Sequence, residues 1–186
     1  DIETGNYKKI PIDLDGVFTT SWHPSEKIIA FMGHKDDSSD IYIIDLNSKE
    51  VTNITNDIFS DSSPSWSPNG EVIYFTSDRG NSLQTKNMFE IDFSQTDIFQ
   101  YSFATNKIIQ LTDTEYNENY PVASSEGNLF YTSDFNGITN IFKHNLNSNE
   151  SFPITNVVTG VQQIDLDGSD NLVFSGFKKR GWDLYL

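Results

Sequence analysis

Ser65-Trp66-Ser67-Pro68-Asn69-Gly70-Glu71-Val72-Ile73-Tyr74-Phe75-Thr76-Ser77-Asp78-Arg79-Gly80 packs a turn between two strand-like runs. Pro68 ends the first run because it cannot donate to a ladder. Asn69-Gly70 accepts the positive φ of a two-residue hairpin loop. Val72-Ile73-Tyr74-Phe75 is a continuous apolar and aromatic run, too short for a helix and suited to a strand buried on both faces.

The same grammar recurs along the chain. Ser21-Trp22-His23-Pro24 precedes Ile28-Ile29-Ala30-Phe31. Val122-Ala123-Ser124-Ser125-Glu126-Gly127 precedes Leu129-Phe130-Tyr131, and Asp165-Leu166-Asp167-Gly168 precedes Leu172-Val173-Phe174. A second motif follows each run: Asp40-Ile41-Tyr42, Asp97-Ile98-Phe99, Asn140-Ile141-Phe142 and Asp183-Leu184-Tyr185, spaced by 57, 43 and 43 residues. A third, Ile54-Thr55-Asn56, Leu111-Thr112-Asp113 and Ile154-Thr155-Asn156, keeps the same 57 and 43. Each unit therefore holds a leading strand, the apolar run, a strand such as Ile41-Tyr42-Ile43-Ile44, a polar link and an outer strand such as Val51-Thr52-Asn53-Ile54. Four strands in roughly 43 residues is the period of a β-propeller blade. The expected fold is all-β, with about four blades of four antiparallel strands.

The expected organisation is one propeller region over 1–186: an outer strand of a preceding or closing blade at 1–12, blades at 18–56, 62–113 and 119–156, and an incomplete blade at 160–186. Asp1 to Ile10 aligns with the link and outer strand at Asp45 to Ile54, while Leu184-Tyr185-Leu186 falls in a third strand. Two readings stay open. Either these are blades of a larger propeller or multi-domain chain, or the N-terminal strand completes the last blade in a small ring or a half-ring that dimerises.

Composition sets outer limits. The 186 residues carry 27 Asp and Glu against 12 Lys and Arg, a net charge of −15 that repels nucleic-acid phosphates and anionic membranes. Aromatic residues make up 13% of the chain, which argues for a packed core rather than an acidic disordered tail. No apolar run approaches 18 residues, so no membrane insertion by this chain is expected. With no cysteine, disulfides and thiolate metal sites are excluded.

The chemistry-bearing residues are sparse. His23, His34 and His144 show no H-x-x-x-H or H-E-x-x-H spacing, and His23 fills the turn slot that Ser67 fills in the next unit. No G-x-S-x-G elbow presents a nucleophile. Asp165-Leu166-Asp167-Gly168-Ser169-Asp170-Asn171 has the alternating carboxylates of a calcium loop, but Gly176 stands where that loop needs its bidentate Glu, and the repeat explains Asp167-Gly168 as a hairpin turn. Asp36, Asp37, Asp40, Asp57 and Asp61 read as a solvated acidic loop face. Lys178-Lys179-Arg180, the one basic cluster, reads as an exposed turn. No catalytic residue, metal site or cofactor is expected.

The segment Asn81 to Gln95 exceeds its siblings in length, and a loop that the blade does not require is the best candidate for a specific contact. Met88, Phe89, Ile91 and Phe93 are its candidate partner-contact residues, unless they fold back over the propeller edge.

The units Ser65 to Gly80 and Tyr131-Thr132-Ser133-Asp134-Phe135-Asn136-Gly137 resemble the WD-like propeller repeat of the TolB family, and the resemblance spans essentially the whole chain. Units three and four depart from it in lacking the Trp-Ser-Pro core. The resemblance implies a non-catalytic scaffold for protein or cell-envelope contacts, exported to the periplasm or outer membrane of a Gram-negative bacterium, with protein partners. It also admits a gating or substrate-positioning module of a tricorn-like or prolyl-oligopeptidase-like serine peptidase whose catalytic domain lies elsewhere.

Overall fold

A computed structural model describes residues 3–83, 89 and 92–186. Among these residues, fifteen strands form four antiparallel sheets in chain order. The first holds β1 (Gly16–Trp22), β2 (Ile28–Lys35), β3 (Ser38–Asp45) and β4 (Val51–Asn53). The second holds β5 (Asp61–Trp66), β6 (Val72–Ser77), β7 (Asp97–Ser102) and β8 (Lys107–Gln110). The third holds β9 (Glu118–Ala123), β10 (Asn128–Ser133), β11 (Asn140–Asn145) and β12 (Glu150–Pro153). The fourth has three strands, β13 (Val161–Leu166), β14 (Leu172–Lys178) and β15 (Gly181–Tyr185). Inner strands lie side by side, β5 between β1 and β9, and β9 between β5 and β13. All four line one central cavity of about 400 Å³. The chain is an all-β propeller of four blades.

Two devices repeat in every blade. The first is an aromatic pair directly across the second and third strands: Phe31 on Tyr42, Phe75 on Phe99, Tyr131 on Phe142 and Phe174 on Tyr185, all stacked at 5.4–6.1 Å. Such cross-strand pairs fix register as well as burying area. The second is a bulge in each inner strand, which leaves Thr19, Ser63, Tyr120 and Gln163 with φ of 22°, 51°, 56° and 50°. No glycine marks these positions, so the bulge follows from how the strands meet at the axis.

Sheet faces pack against neighbouring sheets. Ala30, Ile41, Trp66, Ile73, Phe75 and Phe99 form one core cluster between blades one and two. Tyr74, Ile98, Leu129, Tyr131 and Phe142 fill the next junction, and Ile141, Val161 and Ile164 the third. Here β6 is buried almost throughout, as its apolar run requires, whereas β14 is only half-buried because no further blade covers it among the described residues.

A threonine clamp holds each outer strand in place. The amide of Ile41, Ile98 or Ile141 donates to the hydroxyl oxygen of Thr55, Thr112 or Thr155 at 2.8–3.0 Å. The carbonyl of the same residue accepts the amide of Ile54, Leu111 or Ile154 at 2.8–2.9 Å. The side chain just before it, Asp40, Asp97 or Asn140, accepts the amide of the inter-blade link at Asp57, Thr114 or Val157. The two sequence motifs that run in step are the two halves of this clamp.

Three expectations are corrected. Residues 3–12 form no strand; Ile10, Ile12 and Leu14 alternate as half-buried residues, but Pro11 removes a ladder donor among them. Asn69-Gly70 is not a two-residue hairpin loop, because Ser67 and Val72 close a longer turn in which Gly70 alone has positive φ, at 75°. Gly70 lies against the His23 ring, where a Cβ would come within 2.2 Å, so this turn is held by close approach as well as by φ. In the turn after β13, Asp170 takes the left-handed conformation in place of Gly168.

Replacing Thr112, which is buried, with Val removes the acceptor of the fully buried Ile98 amide. Thr112→Val is expected to cost about 1–3 kcal/mol of unfolding free energy, measured by chemical denaturation, while Thr112→Ser keeps most of the stability.

Candidate functional site

The rim at which the inner strands begin gathers the buried polar groups. Each of the three inter-blade junctions places the same positions there with different chemistry. At the first, Arg79 is 2% exposed and Asp61 is 0% exposed. Arg79 Nη2 donates to both Asp61 carboxylate oxygens at 2.6 Å, Nη1 donates to Asp57 at 2.8 Å and Nε donates to Ser77 Oγ at 2.8 Å. Its guanidinium carbon also lies 5.4–5.5 Å from the ring centres of Phe59, Phe75 and Phe99. A desolvated cation among aromatic faces and carboxylates is stabilised from both sides. Burial pushes the Asp61 carboxyl up to about 6, while the Arg79 guanidinium and its hydrogen bonds pull it back down.

Asp40, Asp57 and Asp61 bring carboxylate oxygens within 4.8 Å of one another, the one such cluster among the described residues with the spacing to hold a metal ion. The guanidinium of Arg79 already neutralises two of its members, Asp57 and Asp61. This corrects the reading of Asp36, Asp37, Asp40, Asp57 and Asp61 as one solvated face: Asp36 and Asp37 are exposed, but Asp40 and Asp61 are buried. Sequence reasoning missed Arg79, the centre of the group, because arginine is by default a surface residue.

At the second junction Glu118 occupies the place of Asp61, and Phe135 the place of Arg79. Glu118 is 2% exposed; Oε1 accepts from the Thr114 hydroxyl at 2.9 Å, and Oε2 is buried without a hydrogen-bond partner. Burial pushes its carboxyl up to about 7. Asp97, in the place of Asp40, rises to about 6 through burial, with Asp113 nearby adding to it. Its own contacts are long, 3.5 Å from the Thr114 amide and 3.4 Å from Gln110. The third junction is neutral: Asn140, Val157 and Val161 replace the carboxylates, and Lys178 stands at the exposed rim.

The remaining sequence candidates are scattered. His23 Nδ1 accepts the amides of Ser25 and Glu26 and its ring meets Trp66 edge-on at 4.6 Å, so it shapes a turn. His34 contacts Ser39, and the buried His144 contacts Ser151 at 2.9 Å. Asp167 accepts from the Ser169 and Asn171 amides and from the Asn171 side chain, as a turn-forming carboxylate. Of the proposed contact residues, Met88 and Ile91 lie outside the described residues. Phe89 is 100% exposed, and Phe93 is half-exposed and stacks on Phe59 at 5.9 Å, beside the Arg79 centre.

Two substitutions test this electrostatic picture. Arg79→Met leaves Asp61 buried and unpaired and is expected to cost about 3–5 kcal/mol in denaturant titrations. The raised Glu118 carboxyl binds its proton more tightly folded than unfolded, so its contribution to stability is complete below about pH 4 and is lost as pH rises through about 7. Glu118→Gln is therefore expected to match the parent near pH 4 and exceed it at pH 8, by on the order of 1–3 kcal/mol.

Comparison with known proteins agrees with this architecture. Residues 1–95 match the TolB beta propeller domain family. An uncharacterized protein of Agrobacterium fabrum is 25% identical over 151 residues, covering 80% of this chain and 43% of its own length. The Tol-Pal system protein TolB of Francisella tularensis subsp. holarctica is 26% identical over 132 residues, covering 71% of this chain and 28% of its own. The chain thus spans less than half the length of either relative. Among solved structures, TolB from Acinetobacter baumannii superposes with a TM-score of 0.71 at 17% identity, over 91% of this chain and 40% of that one. Puromycin hydrolase superposes at 0.70 and 10% identity, over 92% and 27%, a likeness of fold. With the repeat, the four blades and the matched residues in agreement, this chain belongs to the TolB β-propeller domain family.

Proposed function

We propose that this propeller is a non-catalytic scaffold that binds a protein partner in the bacterial cell envelope, in the periplasm or at the outer membrane. The observation that carries the reading is the pairing of a family-typical blade with a stretch of sequence, residues 81–95, that its sibling units lack, in which Phe89 is exposed and Phe93 stacks on Phe59 of the framework. Aromatic side chains presented by a loop on fixed strands are suited to protein recognition, because they bring large contact area at low entropic cost. The Tol-Pal system protein TolB of Francisella, similar over 132 residues, supports an envelope setting and protein partners.

Met88, Phe89, Ile91 and Phe93 are the proposed contact residues. Affinity capture from Gram-negative envelope extract with the intact chain and with a version lacking residues 81–95 tests the assignment. Loss of a specific protein on deletion is the expected result. Equal recovery of every bound protein would remove the loop from the binding surface. Discovery of a serine peptidase domain on the same polypeptide would replace the scaffold with a substrate-gating role.

A further inference from the structure

The first two junctions share the walls of one site but not its cation. At the first, Arg79 lies among Phe59, Phe75 and Phe99 and is bound by Ser77, Asp57 and Asp61. At the second, Tyr116 precedes Glu118 as Phe59 precedes Asp61, Tyr131 precedes Ser133 as Phe75 precedes Ser77, and Phe142 follows Asn140 as Phe99 follows Asp97. Tyr131 and Phe142 stack at 5.8 Å, as Phe75 and Phe99 do at 6.1 Å. Ser133 pairs with Glu118 across the sheet as Ser77 pairs with Asp61. The enclosure is repeated, with a hydroxyl and a carboxylate in the same places.

What the second junction lacks is the donor. Phe135 takes the position of Arg79, with its ring centre 4.9 Å from that of Tyr116 and 5.9 Å from that of Phe142. It lies among the aromatics yet offers no hydrogen bond. Glu118 Oε2 is left buried and unpartnered, and no described cation pairs with Glu118 or Asp97. Asp97 and Asp134 add their negative charges to its surroundings. A buried carboxylate oxygen without a donor carries its full desolvation cost until one arrives. Phe135 is half-exposed and, with Asn136 and Phe142, borders a cavity of about 320 Å³ that gives its ring room to turn.

We propose that the second junction is a receptor for a guanidinium group, supplied by an arginine side chain of a protein partner, which displaces the Phe135 ring, donates to Glu118 Oε2 and lies against Tyr116, Tyr131 and Phe142. Arg79 displays the same chemistry within the molecule. A guanidinium suits these walls better than an ammonium, because it stacks on aromatic faces and is more weakly hydrated. The end of the 81–95 stretch is fastened beside the site: Gln95 Nε2 donates to the Thr114 carbonyl, and the Thr96 amide donates to Asn117 Oδ1 at 3.1 Å. That the carrier is a protein rests on the scaffold reading. The guanidinium site itself does not, and a small arginine derivative tests it alone.

The probe is N-acetyl-arginine amide, titrated into the isotope-labelled 186-residue chain at pH 8, above the value of about 7 to which burial raises Glu118, and followed through the amide resonances of Thr114, Asn117 and Glu118. Saturable shifts with a dissociation constant on the order of 1 mM are expected, and none from N-acetyl-citrulline amide, its uncharged counterpart. Glu118→Gln should weaken binding about tenfold or more. Phe135→Arg should abolish it by seating the chain's own guanidinium in the site, with resonances away from the junction unmoved in both variants. Absence of saturable shifts, equal binding of the citrulline or the lysine derivative, or unchanged affinity in either variant would overturn the proposal.

Discussion

The threonine clamp ties the levels of this structure together. A propeller blade is a twisted sheet whose outer strand is short, three or four residues here, and a strand that short has little ladder of its own to hold it. The aliphatic–Thr dipeptide grips both main-chain polar groups of one buried residue, and the neighbouring Asp or Asn reaches on to the link that enters the next blade. The outer edge of one blade and the entry to the following blade are thereby fixed from one point. In blades one to three the clamped residue is fully buried, so its amide and carbonyl have no recourse to water. The clamp is thus a requirement for burying the residue at all.

Once the backbone is fixed this way, the junctions are free to differ in electrostatics. The first concentrates carboxylates around Arg79, the second buries Glu118 and Asp97 with no cation at the equivalent place, and the third is neutral. Geometry is conserved across the three while charge is not. The repeat therefore constrains hydrogen-bond donors and acceptors more tightly than it constrains ionisation: Asn140 accepts the link amide at 2.8 Å as well as Asp40 does at 3.3 Å. A carboxylate at that position is compatible with the clamp, and charge is set separately, by Arg79 against Asp57 and Asp61 in the first junction and by the apolar Phe135 at the equivalent place in the second.

The blade architecture was legible because its signals are periodic. Four apolar runs, four Asp-Ile-Tyr motifs and three Leu-Thr motifs in fixed order leave few alternatives. What was visible only as rhythm was the partnership: Ile41 and Thr55, Ile98 and Thr112, and Ile141 and Thr155 are all 14 apart, yet nothing in a list of residues says that one is hydrogen-bonded to the other. Arg79 escaped for a different reason. Its burial depends on Phe59, Phe75 and Phe99 arriving from three separate segments, information that no local window contains. The turn at 167–171 misled because Asp-Gly suggests a tight hairpin, whereas Asp167 instead collects the Ser169 and Asn171 amides and moves the left-handed residue to Asp170.

The inner strands show what the blades share. Left-handed backbone at Thr19, Ser63, Tyr120 and Gln163 carries a cost of order 1–2 kcal/mol for each residue, and a β-branched or bulky side chain does nothing to relieve it. The same strain at the same place in four dissimilar sequences means that convergence at the axis imposes it. A bulge there turns each strand and re-aims its side chains. The channel wall that results is common to all four blades and follows from the packing of the blades themselves. What distinguishes one blade from the next is the charge pattern of the junctions and, in sequence, the extra stretch at 81–95. Under the proposed scaffold reading, discrimination between partners falls to those departures, because only they differ from one blade to the next.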